Sequence, residues 1–206
     1  MPILVMPILP KQCDIFPPNL LDNPGGPPRV GNGGPFSLSG PEFAADAGWI
    51  AFYTLSRREK DLMRKLAATA IPFYAPLIKR RLHSAGGRTR VSYVPLFPGY
   101  VFSLVDDAQR RSALATNTIA RWLPIIDREM LLADLRSIKQ LIDSDQPLTP
   151  EARLQPGQSV RVRSGALRGM EGTVVKRRGE ERLVVAVRFL NQGASVELED
   201  VDLERL

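Results

Sequence analysis

Between Asp143 and Arg153 the character of the chain changes, and that break limits the folds open to it more than any other feature. Beyond it, residues 154–206 hold no stretch able to form a helix of any length. Short valine-rich runs alternate with turn residues instead: Val160 and Val162, Val174 and Val175, Val184 to Val187, then Val196 and Val201, with turns at Ser164-Gly165, Arg178-Gly179 and Gln192-Gly193. Five short strands in about 50 residues predict a closed or partly closed small barrel, which removes exposed sheet edges. Residues 143–153 carry two prolines and few apolar residues and read as a linker.

Before the break the chain alternates strand and helix patterns. Trp49 to Leu55 is aromatic and apolar, as a buried strand would be. Ser56-Arg57-Arg58-Glu59 has the form of a capping box for a helix that places Leu62, Met63, Leu66, Ala67 and Ala70 on one face before Pro72. Phe73 to Arg80 and Val91 to Val105 read as strands on either side of a polar arm containing Gly86-Gly87. Asp106, with Gln109, caps a second helix ending near Asn117, and Arg121 to Ile126 reads as a strand. Asp127 caps a third helix, with Leu131, Leu135, Ile138 and Ile142 as its apolar stripe. The order β-α-β-β-α-β-α describes an α+β sandwich with a mostly antiparallel sheet over residues 48–142.

Residues 1–47 stand apart, with ten of the 18 prolines and six of the 16 glycines. Proline removes backbone donors and glycine raises the entropy of ordering, so the segment reads as a disordered tail. A partner-binding arm and a later translation start are the alternatives. The opening MPILVMPILP is interrupted by prolines and lacks a basic flank, so it resembles neither a secretory signal nor a membrane span, and a cytoplasmic location is expected.

Chemistry is constrained by scarcity. One cysteine, Cys13, and one histidine, His83, leave no Cys/His metal cluster, no internal disulfide and little from which to build a catalytic site. Phosphate-cradling glycine loops are missing too, so neither an enzyme nor a cofactor is expected. The net charge of +6, with a pI near 9.8, suggests contact with a polyanion. Ten Lys/Arg lie between Arg57 and Arg90 against only Glu59 and Asp61.

Two segments carry a family resemblance. Tyr93-Val94-Pro95-Leu96-Phe97-Pro98-Gly99-Tyr100-Val101-Phe102 resembles the strand entry of the NGN domain in NusG-type transcription factors. Gln155-Pro156-Gly157-Gln158-Ser159-Val160-Arg161-Val162-Arg163-Ser164-Gly165, continuing through Gly169 and Gly172-Thr173-Val174-Val175, is similar to the KOW motif of that family's C-terminal SH3-like barrel. The resemblance implies an NGN-like domain at 48–142 and a KOW barrel at 154–206. It also implies a non-enzymatic elongation or antitermination factor, monomeric and without a membrane association. Tyr53, Phe97, Pro98, Gly99 and Tyr100 would line an apolar cavity for the clamp helices of RNA polymerase. Arg57, Arg58, Lys79, Arg80, Arg81, Arg88 and Arg90 would lie near DNA at the transcription bubble. Phe189 and Leu190 would meet a ribosomal protein or Rho.

Each implication has a plainer counterpart. The aromatics could fill the sandwich core, the basic arm could be a solvated loop, and strand alternation could turn Phe189 inward and leave only Leu190 exposed. The barrel loop departs from the Phe-Gly-Arg of housekeeping members and has Leu190-Asn191-Gln192-Gly193. With the long tail, that departure favours a specialised, RfaH-like paralogue. Valine content and the glycines at 165, 169, 172 and 179 argue against a barrel segment stored as helices. A ribosome- or RNA-binding KOW protein is the alternative function, and the aromatic cavity of the first domain is what separates the two.

Overall fold

The computed structural model describes residues 12–22, 47–83, 89–177, 179–198 and 203–206. In chain order the elements are β1 (Ile15–Phe16), β2 (Gly48–Thr54), α1 (Glu59–Ala68), β3 (Phe73–Tyr74), β4 (Leu77–His83), β5 (Thr89–Pro95), β6 (Tyr100–Val105), α2 (Asp107–Leu114), β7 (Ile119–Pro124) and α3 (Arg128–Asp143). After them come β8 (Thr149–Glu151), β9 (Gln158–Val162), β10 (Glu171–Arg177), β11 (Glu180–Val187), a 3-10 turn η1 (Arg188–Leu190), β12 (Gln192–Glu197) and β13 (Leu203–Arg205). The first unit is an antiparallel sheet ordered β1-β3-β6-β2-β7, with β4 and β5 projecting as a separate hairpin. The second is an antiparallel sheet ordered β13-β9-β10-β11-β12-β8. The α+β class and the small all-β second unit agree with the sequence reading.

Strand alternation divides the first unit into two layers. Ile50, Phe52, Val101 and Val105 face α1 and α2, where they meet Leu62, Met63, Leu66 and Ala113. Trp49, Ala51, Phe102 and Leu104 lie in the other core, with Leu131, Leu135 and Ile138 of α3. That second core runs without a break into Val160, Val162, Leu183, Val185 and Val196 of the barrel, so the two units share it.

Several expectations need correction. Glu59 does not cap α1; the cap position falls at Arg58 with no side-chain cap bond, and Arg57 before it takes a left-handed backbone (φ 60). The capping box does form where Asp106 and Gln109 exchange bonds at α2, and Asp127 accepts from the Met130 amide at α3. The stretches 73–80 and 91–105 are each two strands, because Pro76 and Pro98 interrupt the ladders. The last hairpin turns at Asn191 (φ 52) rather than at Gln192-Gly193, which lie in β12. Part of the expected linker is sheet: β8 pairs with β12, and buried Glu151 accepts from the Ser195 hydroxyl at 2.7 Å. Gly86-Gly87, Arg178 and Val201 lie outside the described residues.

The expected tail also contains structure. Residues 12–22 lie along the first unit as a strap, whereas 1–11 and 23–46 lie outside the described residues. Ile15 and Phe16 pair with Tyr74 and Phe73, and the Ala75 amide donates to the Asp14 carbonyl at 2.8 Å. Pro17-Pro18 then open a tight turn that delivers Leu20 and Leu21, each 1% exposed, into the α3-side core. The ladder ends before the first proline, so composition did not forbid it. Arg136 of α3 closes the strap by donating to the Leu21 carbonyl at 2.7 Å. Truncating a fully buried leucine removes its transfer free energy and leaves a cavity, so Leu21→Ala is expected to lower stability by about 2–5 kcal/mol in urea unfolding. A change within error would show the strap to be a surface decoration.

Candidate functional site

At one end of the first sheet, β2 and β6 set two tyrosines side by side. Tyr53 is directly opposite Tyr100, and Arg121 of β7 is opposite Tyr53 on its other side. The tyrosine rings meet edge to face with centroids 5.1 Å apart, and the Arg121 guanidinium lies 4.9 Å from the Tyr53 centroid. Both tyrosines are half-buried and Arg121 is exposed. The result is a small aromatic platform with a cation on its rim, rigid underneath and open above.

The Leu96–Gly99 turn holds this platform in place. Gly99 has φ 86, a conformation that favours glycine, and a Cβ there would stand 2.9 Å from Cε2 of Tyr53. Its carbonyl accepts from the Thr54 amide at 2.8 Å, and its amide donates to Oε1 of Glu59 at 2.7 Å. Glu59, 8% exposed, is therefore a turn anchor rather than a helix cap. Pro98 is exposed at the tip. Phe97 is not part of the open face: at 1% exposure it packs edge to face on Phe102, centroids 6.4 Å apart, so the core-filling alternative applies to it.

The basic residues do not form a single patch. Arg57 and Arg58 are exposed before α1, and Arg58 reaches Asp61 at 3.4 Å. Lys79, Arg80 and Arg81 are exposed in β4, where alternation puts Lys79 and Arg81 on one face and Arg80 on the other. Arg90 lies in β5 opposite Leu82 in register, and Arg88 is outside the described residues. Lys60 is drawn inward, donating to the Tyr93 carbonyl.

The barrel loop meets the first unit. Asp134, on α3 and 7% exposed, accepts from the Arg188 amide at 2.8 Å, from its Nε at 3.0 Å and from its terminal nitrogen at 2.7 Å. That hydrogen bonding raises the Arg188 guanidinium above its ordinary range, against the opposing effect of burial. Phe189 and Leu190 follow in a 3-10 turn and both pack, half-buried, on the shared core. Neither is the freely exposed residue that strand alternation offered, because the loop is not a strand. Glu59, Arg121 and the Asp134–Arg188 pair escaped the sequence reading. An acid at helical spacing with the apolar stripe, three residues after Leu131 and four before Ile138, was the available signal for the last of these.

Similarity to known proteins follows the same layout. Residues 47–142 match the family described as "Transcription termination factor nusG". The Pseudomonas aeruginosa "Transcription termination/antitermination protein NusG" is 29% identical over 177 residues, covering 77% of this chain and 98% of that protein. Its Pasteurella multocida namesake is 30% identical over 135 residues, covering 60% of this chain and 72% of that protein. Among solved structures, one described as domain interaction in Thermotoga maritima NusG is 18% identical, covers 78% of this chain and 97% of that chain, and has a TM-score of 0.42. An α+β unit joined to a small β unit, with sequence kinship along most of its length, defines a two-part transcription factor. The chain belongs to the NusG family.

Removing the Asp134 carboxylate leaves the Arg188 amide and guanidinium without their acceptor, although exposed Arg188 can partly rehydrate. Asp134→Ala is therefore expected to loosen the barrel from α3 and raise the radius of gyration in small-angle scattering. An unchanged radius would mean that the apolar contact alone holds the units together.

Proposed function

We propose that this chain is an elongation and antitermination factor that rides on RNA polymerase through the Tyr53–Tyr100 platform. The observation that carries the reading is that both rings are half-exposed while everything beneath them is fixed by Gly99, Glu59 and Phe97. A preorganised aromatic surface with polar tips can bury a partner helix with little loss of side-chain entropy. Pro98 and Arg121 extend that surface, so a partner presenting apolar residues beside an acidic one fits it best. The relatives named as termination/antitermination proteins support the same role.

The exposed cations Arg57, Arg58 and Arg80 reach toward nucleic acid near the polymerase, with the rest of the β4–β5 arm. A second partner, a ribosomal protein or Rho, engages Phe189 and Leu190. Because both residues rest on the shared core, that partner must first separate the loop from α3.

Capture on immobilised core RNA polymerase tests the platform. Tyr100→Ala removes one half of the ring pair and is expected to weaken capture by about tenfold or more, the loss typical of a central aromatic anchor. Equal capture of mutant and wild type would remove the platform from the account. Nucleic-acid binding through the arm is expected to fall steeply as salt rises, since neutralised phosphates release counterions. A flat response would leave the arm without that role.

A further inference from the structure

A groove of about 440 Å³ opens between the base of the β4–β5 hairpin and the segment that leaves α3 for the barrel. That volume lies within the range of small-ligand sites, about 300–1,000 Å³. Its hairpin wall carries Lys79, Arg81 and Tyr93, with Tyr93 directly opposite Lys79 in register. Its other wall carries Ile142, Asp145 and Leu148. The proposed function uses Lys79 and Arg81 only as part of the arm's charge and gives the groove itself no occupant.

We propose that the groove binds a single unpaired guanine nucleotide within a nucleic-acid strand. The inference rests on the reading of the arm as a nucleic-acid contact and specifies what one face of it recognises. Lys79 and Arg81 are exposed, two residues apart in one strand, and so offer two cations on the same side to a phosphate. Tyr93 supplies an aromatic wall beside them, on which a base can stack without regard to its identity. A groove of this volume suits one splayed-out base and not a duplex.

Asp145 adds the selectivity. Lys79 stands 4.0 Å from it, and both groups are solvent-accessible, so that pair is weak and readily exchanged for a ligand. The neighbouring Asp143 is already engaged by Lys139 at 2.6 Å. An ionised carboxylate only accepts hydrogen bonds. Guanine alone presents two adjacent donors, N1–H and the N2 amino group, on its Watson–Crick edge. Cytosine and adenine set an acceptor beside their amino group, and thymine or uracil sets carbonyls on both sides of its N–H, so each turns a lone pair toward the acid. Asp145 also takes a left-handed backbone (φ 53) just past the helix end, a position that glycine or asparagine usually fills. The carboxylate is held there despite that preference.

Fluorescence anisotropy with the full chain tests this. The probes are labelled twelve-nucleotide strands of thymidine alone and with one central deoxyguanosine, their uridine and guanosine counterparts, and a strand with inosine in the central position. The guanine strand is expected to bind about tenfold tighter than its parent in the deoxy series, the ribo series or both, in line with one bidentate contact. Inosine, which lacks the N2 amino group, should lose most of that preference. Asp145→Asn, at an exposed site whose backbone suits asparagine, should bring guanine and parent strands to the same affinity. Tyr93→Leu should weaken every strand. Equal binding of guanine and parent strands by the wild type, or an undiminished preference in Asp145→Asn, would overturn the proposal. If Arg80→Ala still weakens binding in that case, the arm reading survives and only the groove falls. If no strand binds at all, both fall together.

Discussion

Helix α3 is the member on which the rest of the structure leans, because three parts of the chain bury against it at once. Its central stripe, Leu131, Leu135 and Ile138, meets the sheet core. On one flank Arg136 holds the strap through the Leu21 carbonyl, and on the other Asp134 holds the barrel through Arg188. Two residues apart on a helix point about 200° from each other, so one element can grip two bodies without conflict. A buried acid costs desolvation, which only a well-formed set of donors offsets. Here the acid accepts from both a backbone amide and a guanidinium, so the contact specifies one docking geometry as well as contributing attraction.

That arrangement separates rigid from adjustable parts. The tyrosine platform sits at the end of two interior strands of the sheet, anchored by a glycine turn and a nearly buried glutamate. The hairpin projects from the opposite end of the same turn, joined to it by the Leu96 amide and the Pro76 carbonyl at 2.8 Å. The barrel loop, by contrast, is held by polar contacts at the edge of an apolar patch. Such a contact can be exchanged for a partner without unfolding either unit.

Much of this was legible in the sequence, for identifiable reasons. The 3.6-residue stripe of α3 and the valine-rich strands of the second unit are local patterns, and both were matched by the structure. The Pro-Gly-Tyr turn was legible because a tight turn between strands restricts residue type. What was missed is non-local. Glu59 looked like a helix cap because the box spacing was right, but the amide that it satisfies lies 40 residues away. Phe97 and Tyr100 lie three residues apart in one motif, and only the packing of the Leu96–Gly99 turn onto Phe102 separates the buried ring from the open one. The strap was hidden by composition, since four apolar side chains among prolines suffice once a sheet edge is waiting for them. Asp134 and Arg188 lie 54 residues apart, and no periodicity links them.

If α3 joins the two units into one body, they must tumble together in solution. Backbone nitrogen-15 relaxation on the intact chain reads this directly, residue by residue. A single rotational correlation time, shared by β2 and β6 and by β10 and β11 and appropriate to 22.8 kDa, is the expected result. A markedly shorter correlation time for the barrel strands would contradict it, because the shared core and the Asp134–Arg188 contact could not then persist in solution.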